Sequence, residues 1–458
     1  MTTDGCNVGE ATIDILPDDT LLTIFFLYKE DYSADLSWWE PCVHVCRRWR
    51  HVILASPLGL GLTIVCTSRT PVKKSLNIWP PLPIAIRSAH RQSLGRNENI
   101  IAALEQPDRI TDIRLHDLTI SQLRTVSNMM ACPFPALTYL SLDSINDDAG
   151  LPNMFLNGSA PSLQTLRLTG ITFLALPKLL SSTTQLVTLE FNFPFGYISP
   201  QVMATCMVAL PNLKQLHIEF QEVIPYLNQP HLPTHSILPS LISFHFSGTS
   251  NYLEDLLAQF DAPKLQTLSV TLWDEDLVVG FSQLVRFVSC AQKLILPIRA
   301  MVEFDFWRVL FKFIPSHGFD LTIVCHTLDE QVESMAVVCR EVSPLLSRVE
   351  RLDLHCSHLP PANRRIDPRH WLEIFQQFIT VKNLYVSKQL RREITRVMRA
   401  LSSEAAADIL PELRTLFLEK LHRYGRASLS IINTLIASRL LFGHPVAIRQ
   451  CTASDIDT

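Results

Sequence analysis

Leu137-Thr138-Tyr139-Leu140-Ser141-Leu142 and Leu163-Gln164-Thr165-Leu166-Arg167-Leu168 share one pattern, apolar-x-x-apolar-x-apolar. Its first position recurs at Ile110, Leu137, Leu163, Leu186, Leu213, Leu241, Leu265, Ala291, Gly318, Val349, Val381 and Leu413. The step runs from 23 residues (Leu163 to Leu186) to 32 (Val381 to Leu413). Ala291 and Gly318 are weak anchors, but each is followed by an intact pair, Leu294-Ile295-Leu296 and Leu321-Thr322-Ile323. A repeat with this period predicts a solenoid of strand-plus-helix units.

The pattern has a simple cause. A short strand turns alternate side chains inward, so the fourth and sixth positions enter the core and the third, fifth and seventh face out. The fifth positions read Arg114, Ser141, Arg167, Glu190, His217, His245, Ser269, Ile295, Thr322, Asp353, Tyr385 and Phe417, mostly polar between apolar flanks. One such unit cannot bury its own apolar side, so neighbours must stack.

Between the strands lie helix starts. Ser199-Pro200 precedes Met203, Met207 and Leu210, and Asp367-Pro368 precedes Trp371, Ile374, Phe375 and Phe378. Ser and Asp cap free backbone N–H groups, and Pro fits the first helical position because its missing N–H costs nothing there. A third segment, Tyr252 to Phe260, places Leu253, Leu256, Leu257 and Phe260 on one stripe. The expected architecture is α/β: a curved parallel sheet with a concave strand face and helices outside. The unit resembles a leucine-rich repeat, although it lacks the regular Asn that follows the last Leu in that family's consensus.

Composition narrows the function classes. Of the 458 residues 47% are hydrophobic and 18% charged, with only 14 Gly, so a mainly disordered chain is excluded. A single core of this length is unusual, but a solenoid grows by adding units. A formal net charge of −4 provides no field for nucleic acid or an anionic membrane surface. No apolar stretch approaches the ~18 residues of a membrane span, and the opening MTTDGCNVGE has neither a basic start nor an apolar core. The expected location is intracellular, in cytoplasm or nucleus. Eleven cysteines, an odd number set mostly among apolar neighbours, read as reduced core thiols.

Residues Ile15 to Trp49 do not follow the repeat. Leu16-Pro17-Asp18-Asp19 opens an apolar helix with Leu21, Leu22, Ile24 and Phe25. A second helix is expected to carry Cys42, Cys46, Trp49 and Ile53 on one face. Acidic residues after Pro suit the positive end of the helix dipole. This stretch resembles the F-box, which opens on Leu-Pro-x-Glu and closes on Val-Cys-(Arg/Lys)-x-Trp. Here Leu16-Pro17-Asp18-Asp19 and Val45-Cys46-Arg47-Arg48-Trp49-Arg50 stand in those places. The connection from Tyr28 to Trp39 is longer than usual in that family. With Trp79-Pro80-Pro81-Leu82-Pro83 and Ser159-Ala160-Pro161-Ser162-Leu163, the chain is similar to the F-box proteins with degenerate leucine-rich repeats of mushroom-forming fungi.

The resemblance implies the substrate-recognition subunit of an SCF-type cullin–RING ubiquitin ligase. The F-box docks a Skp-type adaptor through Leu16, Pro17, Leu21, Ile24, Val45, Cys46 and Trp49, as the contact face or its support. The concave repeat face binds a target protein through outward residues: Arg167, Glu190, His217, Glu219, His245, Asp353, His355 and Tyr385. The implied layout is an F-box module at 12–58, a connecting and capping unit at 59–106, the repeats at 107–424, and a C-terminal helix and tail at 425–458. The alternative is a repeat scaffold that binds partners without ubiquitin transfer, its N-terminal helices serving as an end cap.

Catalytic readings are thin. The run His355-Cys356-Ser357-His358 lacks a group to orient it, and no Gly-x-Ser-x-Gly elbow, phosphate loop or dinucleotide fingerprint occurs. Cys42, His44 and Cys46 have no second ligand pair at metal-site spacing. Neither enzyme activity, cofactor nor metal is expected.

Overall fold

The computed structural model describes residues 13–32, 36–69, 72–88, 98–145, 150–192, 198–220, 235–273, 280–294, 298–314, 318–358, 366–401, 409–419 and 426–452. The chain divides into two units, Met1–Thr165 and Leu166–Thr458.

The first unit opens with four helices: α1 (Asp18–Asp31), α2 (Trp39–Val43), α3 (Arg47–Ala55) and α4 (Pro57–Leu60). Asp18 and Asp19 occupy the first turn of α1, as the dipole favours. The expected second helix is in fact two. α2 ends at Val43, and Cys46 takes extended backbone (φ −154°, ψ 172°) as the N-cap of α3, where its Sγ accepts from the Trp49 N–H at 3.4 Å. Cys46 therefore satisfies an otherwise unpaired helix donor. Trp39 ties these helices to the chain that follows: its Nε1 donates to the Thr63 carbonyl at 3.0 Å, and its ring meets Trp79 edge-on at 5.1 Å.

Four parallel strands follow in sheet order: β1 (Ile64–Cys66), β2 (Ile84–Arg87), β3 (Ile110–Leu118) and β4 (Tyr139–Ser144). β1 and β2 precede the first recognised repeat. Their apolar runs are too short to carry the pattern, so stacking begins one or two units earlier than the sequence suggests. Thr119 starts the helix after β3 with a capping box: its Oγ1 accepts from the Gln122 N–H, and the Gln122 side chain accepts from the Thr119 N–H.

The second unit opens within β5 (Thr165–Thr169) and continues with β6 (Thr188–Asn192), β7 (Gln215–Glu219), β8 (Ser236–Ile237), β9 (Ser243–Gly248), β10 (Phe260–Asp261) and β11 (Thr267–Leu272). Then come β12 (Arg299–Asp305), β13 (Arg308–Ile314), β14 (Phe319–Val324), β15 (Arg351–Cys356), β16 (Asn383–Val386), β17 (Thr415–Glu419) and β18 (Ala447–Cys451). The main sheet runs β5-β6-β7-β9-β11-β14-β13-β12-β15-β16-β17-β18, and β8 pairs with β10 apart from it. The expected caps are present. Ser199 Oγ accepts from the Val202 N–H and Asp367 Oδ1 from the Arg369 N–H. A cap that the sequence reading did not name is the capping box of Thr327 with Glu330. The stripe beginning at Tyr252 is helical only to Leu257; Phe260 already opens β10.

Apart from the Ala291 unit, every anchor leads into a strand whose fourth and sixth residues are buried, from Ile113 and Leu115 to Leu416 and Leu418. The Ala291 unit departs from this. Leu294 lies in a bend, Ile295 and Leu296 lie outside the described residues, and the strand starts at Arg299. β12 and β13 pair antiparallel through the two-residue turn Phe306-Trp307, and β13 pairs antiparallel with β14. The all-parallel expectation is corrected here. Antiparallel neighbours need only a tight turn, whereas parallel ones need a crossover, and among the described residues no helix separates these three strands. β18 also extends the sheet beyond the twelve recognised units.

Every described cysteine is free, and burial pushes the Cys66 and Cys356 thiols up to about 12. No described helix is long and apolar enough to cross a membrane.

Candidate functional site

Two surfaces carry the residues singled out by sequence, one in each unit. In the N-terminal helices, Leu21 and Phe25 stand four apart on α1 and are buried, with the Phe25 ring edge-on to Trp49 at 5.0 Å. Arg48 joins the two ends of the motif. Its Nε and Nη2 donate to Asp18 Oδ1 at 3.1 and 2.7 Å, and Nη2 also donates to the Leu16 carbonyl. Leu16-Pro17-Asp18 and Cys46-Arg47-Arg48-Trp49 are thus one local arrangement despite the chain between them.

The seven sequence-chosen residues there fall into three groups. Pro17, Ile24 and Val45 are exposed; Leu16, Cys46 and Trp49 are half-buried; Leu21 is fully buried. Leu21 is therefore support and not contact surface, because it shares the buried side of α1 with Phe25. The sequence reading missed Ile15, Phe26, Leu27 and Leu58, all exposed apolar side chains. Ile24 and Leu27 stand three apart on α1, so their shared direction was available from helical spacing alone. Cys42 is buried, and burial raises its thiol pKa. Among the described residues no three metal-ligating side chains converge.

In the second unit the outward positions form rows across the strands. The fifth-position row pairs Glu190 with His217, His217 with His245, and His245 with Ser269. Arg167 Nε donates to Glu190 Oε2 at 2.9 Å. His217 and His245 stack at 4.1 Å between centroids and 21° between planes, and His217 Nε2 lies 3.4 Å from Glu219 Oε2. Burial and the neighbouring His217 push His245 down to about 4, so its ring is neutral at pH 7. The hydrogen bond from His217 holds the Glu219 carboxyl below its ordinary range. Arg167 is thus paired with Glu190 and His217 with Glu219, while His245 packs against the His217 ring.

Beyond the hairpin the row changes character. Asp353 was expected outward in solvent, yet its side chain is 0% exposed, taken by Arg299 Nε at 2.5 Å and Arg351 Nε at 2.9 Å. Burial pushes this carboxyl up, and the two guanidinium groups pull it back. Arg299 belongs to β12, the strand that the repeat pattern did not place, so the enclosure could not be foreseen. His355 is half-buried, with Nδ1 3.6 Å from Glu303 Oε1, and Ser357 Oγ donates to the same carboxylate oxygen. These contacts hold Glu303 down to about 2. Cys356 points into the core as a protonated thiol, so the His355–His358 run presents no thiolate nucleophile. Tyr385 stacks on Phe417 at 4.1 Å and 5°, and the Arg351 guanidinium covers its other face at 3.9 Å.

No family model matches the sequence, and no curated protein matches it. Among solved structures, a leucine-rich repeat-containing protein from Legionella pneumophila, LegL7, aligns with 82% of this chain and 97% of its own at 12% identity and a TM-score of 0.27.

Proposed function

We propose that the chain is a protein-interaction subunit whose repeats bind a target and whose N-terminal helices dock a Skp-type adaptor, making it the substrate receptor of an SCF-type ubiquitin ligase. The observation that carries this is the Arg48 clamp. It joins the Leu16-Pro17-Asp18 and Cys46-Arg47-Arg48-Trp49 motifs while Ile15, Ile24, Leu27 and Val45 stay exposed. Apolar side chains in such number are not left in water without a use. On this reading the chain is not itself an enzyme, works inside the cell, and needs neither nucleic acid, membrane nor cofactor. The strand–helix repeats equally suit a scaffold that binds partners without ubiquitin transfer, with the N-terminal helices as a cap.

Co-expression of the full chain with a Skp-type adaptor separates the two. The wild type is expected to co-purify with the adaptor, and Ile24→Glu with Val45→Glu to lose it while keeping the same circular dichroism and melting temperature. Absence of the adaptor from the wild-type preparation, or retention by the double variant at wild-type yield, selects the scaffold.

A further inference from the structure

The second unit ends on an open sheet edge. β18 is the last strand in the sheet order and pairs with β17 on one side; among the described residues no strand pairs with its other side. The ladder fixes which backbone groups face out. The Ala447 N–H donates to the Arg414 carbonyl, and Ala447 to Cys451 run in unbroken register with Thr415 to Glu419. Alternate residues of a parallel ladder turn their N–H and C=O groups to the same neighbour, so those of Ile448 and Gln450 point to the free edge. Edge strands are commonly blunted by Pro, by a bulge or by Lys. β18, Ala-Ile-Arg-Gln-Cys, has none of these, and its one charge is Arg449.

The helix Arg426–Leu441, which leads into β18, packs along the helix Arg391–Leu401. Ile432 and Leu435 enter the core. Arg439 is turned inward as well: it is 2% exposed, and its Nη1 and Nη2 donate to the Ile409 and Leu410 carbonyls at 3.0 and 2.7 Å. The exposed side is uncharged throughout its described side chains. Leu429, Ser430, Asn433, Thr434 and Ala437 line a shallow groove there. Leu440, Leu441 and Phe442 stand exposed at its end, Leu441 at 84%. A terminal unit that met only water would need a polar outer face. Here the cation is inside and the leucines are outside.

We infer that this end of the solenoid is a self-association surface: β18 pairs antiparallel with β18 of a second copy, and the two Arg426–Leu441 helices meet beside the joined strands across the same two-fold axis. Two observations choose the occupant. An added peptide strand would satisfy Ile448 and Gln450 but leave Leu440 and Leu441 in water, whereas a second copy brings a strand and a helix together and covers both. A two-fold contact also sets each patch against itself, so a charged face would meet its own sign. The described helix face carries no charge to meet. Arg449 is accommodated by register, because pairing centred on Gln450 keeps the two Arg449 side chains from standing opposite each other. Nothing in this inference depends on the N-terminal helices. Its failure therefore leaves adaptor co-purification untouched.

The test is the mass of the full chain in solution, by size-exclusion chromatography with light scattering, together with amide hydrogen exchange on β18. The wild type should be a dimer at micromolar concentrations, and the β18 amides should gain protection as concentration rises. Leu441→Arg sets like charges face to face, and Gln450→Pro removes an edge donor without touching the β17 ladder. Each should raise the dimer dissociation constant about ten-fold or more. Both positions are exposed, so both variants should keep the wild-type circular dichroism. Val208→Arg, at an exposed apolar site on the helix Pro200–Val208, should remain dimeric, as should Ile24→Glu with Val45→Glu on the adaptor-docking face. A monomeric wild type, a dimer that survives Leu441→Arg or Gln450→Pro unweakened, loss of the dimer in either control, or a ladder of masses above two chains would each overturn the assignment. The ladder would mean head-to-tail growth instead of a closed pair.

Discussion

Asp353 is expected to behave as a structural anchor, not as a surface residue. The perturbation is Asp353→Ala. It removes a carboxylate with no solvent exposure that both Arg299 and Arg351, with side chains 12% and 23% exposed, engage. Deleting one member of a buried ion pair costs about 3–5 kcal/mol, because the remaining charge stays desolvated and uncompensated. Asp353→Asn keeps one acceptor oxygen but turns an amide N–H toward a guanidinium. Losing one of two charge-assisted hydrogen bonds should cost about 1.5–3 kcal/mol. A repeat array need not unfold in one step, so urea melts should be paired with amide hydrogen exchange on β12 and β15, which this carboxylate joins. The double change Arg299→Met with Asp353→Leu should recover much of the Ala loss, since an apolar replacement of similar volume removes the stranded charge. Asp353→Ala within about 0.5 kcal/mol of wild type, with unaltered exchange on both strands, is what a solvated surface residue gives, and that result refutes the enclosure argument.

Leu216→Ala should cost about 2–5 kcal/mol, because three buried carbons at ~0.8 kcal/mol each leave a cavity as well. His217→Ala should cost under about 1 kcal/mol as a half-exposed pair member, and equal losses by urea denaturation would mean that the strand register is inverted. Glu303, held at about 2 against its ordinary 4.5, contributes stability that is present above pH 4.5 and is lost as pH falls from there toward 2. Glu303→Gln should flatten that acid limb in melts recorded across the range, and an unchanged limb would remove His355 and Ser357 as its cause. In the N-terminal helices, Leu21→Ala should destabilise by about 2–5 kcal/mol. Ile24→Glu should change stability by no more than about 0.5 kcal/mol; the reverse order in thermal melts would mean that α1 is rotated from the orientation described.

The repeats were legible before any coordinates, because side-chain alternation in a strand is local: apolar residues at the fourth and sixth positions are enough to say which side is core, and Leu140, Leu142, Leu352 and Leu354 obey it. Helix starts at Ser199 and Asp367 are local in the same sense, since a cap and its donor lie within one turn. Only the tertiary structure decided the rest. The Phe306-Trp307 turn has none of the Gly or Asn that normally announces a two-residue hairpin, so the antiparallel insertion between β11 and β15 appears only when the strands pair. The helix Ser282–Cys290 has no side-chain cap of its own. Its first donors, the Gln283 and Leu284 N–H groups, are taken by Glu254 from the helix Ser250–Leu257, almost thirty residues away in the chain. Asp353 is buried for the same reason: its fate depended on Arg299, a residue on β12, the arm of the inserted hairpin that pairs directly with β15. Local spacing fixes which side chains leave the core, whereas what then lies beside them depends on which strands become neighbours, and that is a property of the whole sheet.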